Sequence, residues 1–163
     1  MKFHIRVRAC ALIIKDDSVL LIEFNDTDGT GTHYNLPAGG VEPGETIMEA
    51  VQREAREEAS VEVEVGMLAL VSEHVPYLHE TSTSAVHGLS LMFECTIKPG
   101  STPKMPVHPD PNQIGVKWVR FDQLDKIVLY PNIKAQIIEY VEKGRRSLDY
   151  IEEHLLPLQK VEV

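Results

Sequence analysis

The order of elements legible in this sequence predicts a mixed β-sheet packed between helices, in the α+β / α/β class. Three observations carry that prediction. Two β-rich apolar runs stand near the start, RVRACALII and SVLLIEF. A single amphipathic helical segment follows a glycine- and proline-dense turn, and further strand material then leads into a helical C-terminal part. Strands, one helix, more strands and one or two helices in that order suit one sheet with helices laid on it.

Each element has its own signature. Lys15-Asp16-Asp17 joins the first two runs, which reads as an antiparallel hairpin. NDTDGTGTHYN is polar and contains glycine, so it reads as a loop, and LPAGGVEPGE as an irregular turn delivering the chain into a helix near Thr46 to Ala59. VEVEVGMLALVSEHV supplies a strand, LHETSTSAVHG a loop or strand edge, and GLSLMFECTI another strand. The prolines of KPGSTPKMPVHPDPNQ exclude regular structure, and GVKWVRF closes the sheet, with Trp118 alternating into the core. From Pro131 to Glu142 the residues Ile133, Ile137, Ile138 and Val141 recur at helical spacing, and a second helix is expected from Ser147 to Leu156.

At 163 residues, 43% hydrophobic and 25% charged, the chain has the size and composition of one globular domain, taken as residues 1–163. No apolar run approaches the eighteen or so residues that a membrane span needs, and the N-terminus has no small-residue cleavage pattern, so no membrane partner and a cytoplasmic location are expected. A net charge of −9 argues against a nucleic-acid surface. It does not exclude a small phosphate ester, provided that a divalent cation sits between the two anions. Cys10 and Cys95 lie in apolar runs without paired spacing and read as buried thiols.

The stretch REAREEAS at positions 53–60 raises a question of charge. On a helix advancing 100° per residue, Ile47, Ala50, Val51 and Ala55 form the stripe laid against the sheet, while Glu49, Gln52, Arg53 and Arg56 face water. Glu54 and Glu58 land within about 20° of Ile47, near the middle of the apolar stripe. Glu49, Arg53 and Glu57 read as a surface ion-pair chain, but the i±4 neighbours of Glu54 and Glu58 include no base. Carboxylates withdrawn from water without partners take up protons, destabilise the fold or hold a cation. Hard oxygen ligands without His or Cys at ligand spacing suit magnesium or manganese and point away from zinc.

Read from Gly39 to Val61, the segment is GGVEPGETIMEAVQREAREEASV: Gly39, five residues, Glu45, seven residues, then Arg53 through Val61. It resembles the signature of the Nudix hydrolases, with LPAGG before it resembling the usual approach to that loop. Each required residue type occurs by chance at about one position in fifteen, so a joint match at fixed spacing is specific. Ser60 stands where the family has glycine. The resemblance implies a Nudix-type mixed sheet and Mg2+ or Mn2+ held by Glu54, Glu57, Glu58 and the backbone carbonyl of Gly39. It also implies an ion pair between Glu45 and Arg53 that pins loop to helix.

The reaction so implied is hydrolysis of a nucleoside diphosphate linked to another moiety: an ADP-ribose-like compound, a nucleotide sugar, a dinucleoside polyphosphate or a nucleoside triphosphate. Glu54 or Glu57 would help to deprotonate the attacking water, or a base would come from a later loop, where Glu73, Glu80, Glu94 and Asp110 are the candidates. Pro76 resembles a marker of the ADP-ribose class and Tyr77 one of the dinucleoside polyphosphate class, and the two conflict. Arg8 and Tyr34 are candidate substrate contacts, to pair with a phosphate and to stack on a base, and His74, His79, His87 and His108 lie where the pocket is usually shaped. The partner expected is a small nucleotide, and many relatives are homodimers. The alternative is a Nudix-fold module that senses a nucleotide without cleaving it.

Overall fold

A computed structural model of the chain describes residues 4–26, 29, 31–78, 84–145 and 148–159. Its strands are β1 (Arg6–Lys15), β2 (Ser18–Asn25), β3 (Thr32–Asn35), β4 (Ala38–Gly40), β5 (Val63–His74), β6 (Gly88–Ile97), β7 (Gln113–Arg120) and β8 (Asp149–Glu152). The α-helices are α1 (Ile47–Ala59) and α2 (Lys134–Glu142), with short 3₁₀ turns at Pro76–Leu78, Phe121–Lys126 and Glu153–Leu155. The sheet runs β3-β2-β1-β6-β5-β8, with β4 added to β1 and β7 to β2. It is mixed: β1 with β6 and β5 with β8 are parallel, and the other pairs antiparallel.

The hairpin at the start is a short one. β1 and β2 pair only at Ile14↔Val19 and Lys15↔Ser18, after which they splay apart. β4 takes up the edge that β1 leaves open, pairing Arg8 with Gly40 and Cys10 with Ala38, while β2 turns to β3 and β7. The V between the two strands is where a cleft can form.

Both faces of this sheet are covered, which explains why β1 and β2 are almost continuously apolar rather than alternating. Ala9, Ala11, Ile13, Leu20 and Ile22 turn to one side and pack against Ala50, Val51, Ala55 and Ala59 of α1. Cys10, Leu12, Val19 and Leu21 turn to the other and meet Ile133, Ile137 and Tyr140 at α2. Leu12, Leu70 and Ile137 are fully buried, so truncating any of them to alanine costs about 2–5 kcal/mol. Burial pushes both thiols up to about 12, which leaves Cys10 and Cys95 as inert packing groups.

α1 starts where its sequence supplies a reciprocal cap. Thr46 Oγ1 accepts from the Glu49 N–H at 3.2 Å, and the Glu49 carboxylate accepts from the Thr46 N–H at 2.7 Å. It ends at Ser60, whose N–H still reaches the Arg56 carbonyl at 3.0 Å and which adopts φ 55° and ψ 31°, the left-handed conformation that turns the Val61 N–H back to the Ala55 carbonyl at 3.3 Å.

Four expectations change. THYN and AGG, expected within a loop and a turn, are the short strands β3 and β4, because free edges of β2 and β1 stand beside them. The segment expected as a helix to Leu156 instead adds β8 to β5 and ends in a 3₁₀ turn; of its apolar residues Ile151 is buried, whereas Leu148 and Leu155 are exposed, so no helical stripe is satisfied. Trp118 is 37% exposed, because it lies on β7, an edge strand with β2 as its neighbour. Among the described residues, no helix is long and apolar enough to cross a membrane.

Candidate active site

The last two turns of α1 lie beside β4, and the contact is made by carboxylates. Glu54 and Glu58 are 8% and 6% exposed. Glu58 accepts the Ala38 N–H at 2.8 Å, which ties the helix to the strand. Glu54 lies flat on Gly39: a Cβ at that position would stand 2.0 Å from Glu54 Oε1, so only glycine leaves the carboxylate room. Burial raises the pKa of Glu54 against the opposing pull of Arg53. Burial also raises Glu58, to about 8, with the negative charges of Glu54 and Asp110 adding to it and the Ala38 N–H working the other way.

Arg53 sits over this group with all its faces engaged. Its Nη2 donates to Glu45 Oε1 at 2.7 Å and to the Gly40 carbonyl at 3.0 Å, and its Nε donates to Glu45 Oε2 at 3.0 Å. Nη1 donates to Glu54 at 2.6 Å and to Glu57 at 3.0 Å. The helix wheel places Arg53 toward water and gives Glu54 no basic neighbour; the guanidinium corrects both, because its length lets it reach from position i to i+1 and i+4 at once. Hydrogen bonding to Arg53, with the Glu42 N–H, holds Glu45 down at about 2. Glu49 takes no part in this chain of pairs, being engaged in the cap.

Beside these groups opens a cleft of about 570 Å3. Glu54, Glu57, Glu58 and Asp110 line it, together with Arg6, Arg8, Phe24 and Asn35. Asp110 arrives on the proline-rich loop, which is tied to α1 where Gln113 Nε2 donates to the Glu58 carbonyl at 2.7 Å and the Lys104 N–H to the Ala59 carbonyl at 3.0 Å.

Of the residues singled out in the sequence, the structure gathers Gly39, Glu54, Glu57, Glu58, Arg53, Arg8 and Asp110 around this cleft, with Glu45 behind Arg53. Tyr34 is not there: it is 8% exposed, belongs to the core on the α2 side, and donates its hydroxyl to Glu23 at 2.5 Å. Glu94 is held by Tyr140 and Arg145, and Glu73 by His87 and Tyr150. His74 faces Glu153, and His108 is exposed on the loop that carries Asp110. Pro76 and Tyr77 form a 3₁₀ turn beyond β5, with Tyr77 85% exposed. His79 and Glu80 lie outside the described residues.

Sequence reasoning missed Arg6 and Phe24, which line the cleft. Phe24 and His33 stack across β2 and β3, ring centres 5.4 Å apart and 12° from parallel, and His33 meets Tyr130 at 5.3 Å. That His and Phe face each other follows from the Phe24↔His33 register, which an unrecognised β3 conceals.

The donor set fits a hard cation. Four carboxylates line one cleft, two are buried with raised pKa, and a glycine cradle leaves room for one of them against the backbone. Among the described residues no three His, Cys, Asp or Glu side chains converge on one point as a finished metal cage. One oxygen each of Glu54 and Glu57 is engaged by Arg53 Nη1.

Known proteins resemble this chain in sequence and in fold. The chain is similar to the human 8-oxo-dGDP phosphatase NUDT18, 42% identical over 78 residues, which cover 45% of this chain and 24% of that one. It is similar to the nucleoside triphosphatase NudI of Escherichia coli, 35% identical over 101 residues, which cover 55% of this chain and 67% of that one. It thus spans about a quarter of the first relative and two thirds of the second. A NUDIX hydrolase from Nitrosomonas europaea shares the fold, with a TM-score of 0.69 at 24% identity over 88% of this chain and 92% of that one. The NUDIX domain profile matches residues 4–141, a span that holds both sheet edges of the cleft, the whole of α1 and the loop with Asp110. The chain is therefore a member of the Nudix hydrolase family.

Proposed function

We propose that this protein is a pyrophosphohydrolase that uses magnesium or manganese to cleave a nucleoside diphosphate linked to another moiety. The observation that carries the proposal is the pair of inward carboxylates, Glu54 and Glu58, buried on the wall of an open cleft beside Glu57 and Asp110. A purely structural role would pair them with bases, and Glu58 has none within hydrogen-bonding distance. Glu54, Glu57, Glu58 and the Gly39 carbonyl would hold the cation. When bound, it supplies charge neutralisation at the phosphoryl oxygens and lowers the pKa of the attacking water.

The chain's own groups do the rest. Arg53, clamped by Glu45 and the Gly40 carbonyl, fixes the positions of Glu54 and Glu57. Arg8 offers a cation to a phosphate. The water oxygen bonds to one phosphorus, the bridging P–O bond breaks with its electron pair going to the leaving phosphate, and a carboxylate takes the water's proton. Of the acids considered for that last role outside α1, Asp110 is the one among the described residues that lines the cleft. The names of the two relatives, a phosphatase of a nucleoside diphosphate and a nucleoside triphosphatase, support a nucleotide anhydride as substrate.

The test is a panel of nucleotides and nucleotide conjugates incubated with magnesium and assayed for phosphate-containing products, with Glu57→Gln alongside. Turnover that disappears in the variant supports hydrolysis. Binding without turnover, unchanged in the variant, establishes instead a nucleotide sensor on the same fold.

A further inference from the structure

Arg6 and Arg8 stand two apart on β1 and so project from the same face, and both line the cleft that the acids also line. Arg6 lies over Gly40, where a Cβ would meet its Nε and Nη2 at 2.9 Å, so the glycine leaves space for a guanidinium lying against the strand. Among the described residues its guanidinium has no hydrogen-bond or ion-pair partner. Arg8 makes one contact, from Nη2 to the Ala38 carbonyl at 3.3 Å, and its buried Nε has no partner. Yet the chain carries a net charge of −9, and Glu42, Glu54, Glu57, Glu58 and Asp110 line the same cleft. Elsewhere arginines close on nearby acids, as Arg53 does on Glu45 and Arg56 on Glu62. Among the described residues neither guanidinium closes on an acid in an ion pair, although the charge of Arg8 is felt by Glu58, and both leave donors free for an anion in the cleft.

We propose that Arg6 and Arg8 form a clamp for a free terminal phosphate, so that the substrates are nucleoside di- or triphosphates rather than diphosphates capped by a sugar. This rests on the hydrolase reading and adds to it the identity of the group beyond the scissile bond. A diphosphate esterified at both ends carries one charge per phosphorus. A terminal phosphate, with a second pKa near 6, carries about −1.5 to −2 at pH 7 and presents three acceptor oxygens. Cations held by the glutamates match the first amount of charge, and two guanidinium forks match the excess.

The experiment compares, for each nucleobase, the nucleoside diphosphate with its diphosphate-sugar counterpart, using wild type, Arg6→Gln and Arg6→Lys with magnesium. Melting temperatures of the variants establish that the fold is kept. The expected result is a wild-type preference for the free terminal phosphate in kcat/KM. Arg6→Gln should reduce that preference roughly 10- to 100-fold, chiefly through KM, since a charge-assisted hydrogen bond is worth that factor. Arg6→Lys, keeping the charge but not the fork, should recover part of it. Equal or better cleavage of the capped compounds, with Arg6→Gln slowing both classes alike, would overturn the clamp while leaving the hydrolase intact. If wild type cleaves neither class, the hydrolase reading fails, and calorimetric titration with magnesium pyrophosphate still decides the clamp. Weaker binding in Arg6→Gln supports it and equal binding removes it.

Discussion

Arg53 and Glu45 meet fork to fork, with Nη2 2.7 Å from Oε1 and Nε 3.0 Å from Oε2, while the remaining nitrogen of the same guanidinium holds Glu54 and Glu57. A side chain that fixes two proposed cation ligands by way of a third acid is a positioning residue. Arg53→Lys keeps the charge but cannot reproduce the planar fork. It should weaken magnesium binding and activity by about 10- to 100-fold, as loss of a group supporting metal ligands does. Calorimetry of magnesium binding and kcat/KM measured together check this, and wild-type magnesium affinity in the lysine variant would contradict it.

Gly39 is set by space rather than by backbone freedom. Its missing Cβ is where Glu54 lies, at 2.0 Å from Oε1. Gly39→Ala should therefore displace a carboxylate while leaving the sheet register unchanged. The expected outcome is a folded protein, by near-native melting temperature, whose activity falls by roughly two orders of magnitude, the scale seen when a positioned charged group is lost from a polar site.

Glu58 gives the metal-free protein a characteristic pH response. Its carboxyl is raised from 4.5 to about 8 in the folded state, so between those values the native chain binds a proton that the unfolded chain does not. Stability contributed by this group is complete below the unfolded value and is lost as pH rises through the folded one. Chelator-treated wild type should lose melting temperature relative to Glu58→Gln from pH 5 to pH 8.5, with a slope no steeper than about 1.4 kcal/mol per pH unit. Added magnesium, which takes the place of the proton, should restore more stability at pH 8 than at pH 6. Parallel profiles for the two proteins would refute the assignment.

Ser60 carries a backbone conformation that suits glycine, at φ 55°. A non-glycine residue in the left-handed region costs about 1–2 kcal/mol. Part of the gain on substitution is returned to the more flexible unfolded chain. Ser60→Gly should stabilise by about 1 kcal/mol and raise the melting temperature by about 2–4 °C in a domain of this size, with the magnesium affinity unchanged.

The site was more legible in the sequence than the strands around it. Glu54 and Glu58 fall inward because helical periodicity is local: the thirteen residues of α1 suffice to place each side chain on a face. The ends of the sheet depend on partners that local sequence does not contain. β3 and β4 are four and three residues rich in polar groups and glycine, and they become strands because β2 and β1 diverge and leave edges to fill. The same cause misplaced Tyr34, which looks like a loop aromatic until β3 carries it into the core against Glu23. Arg6 gave no signal, since a single charge at the start of a strand is ordinary until Gly40 is seen beneath it.

The most direct test of the central claim is the magnesium dependence of nucleotide anhydride hydrolysis in wild type and Glu57→Gln. Glu57 is the right residue because its side chain is exposed and its substitution leaves the core untouched. The account predicts turnover in wild type that chelator abolishes and magnesium restores, and a variant that folds normally but has lost most of that turnover. Full activity in the presence of chelator, or a Glu57→Gln protein as active as wild type, would contradict it.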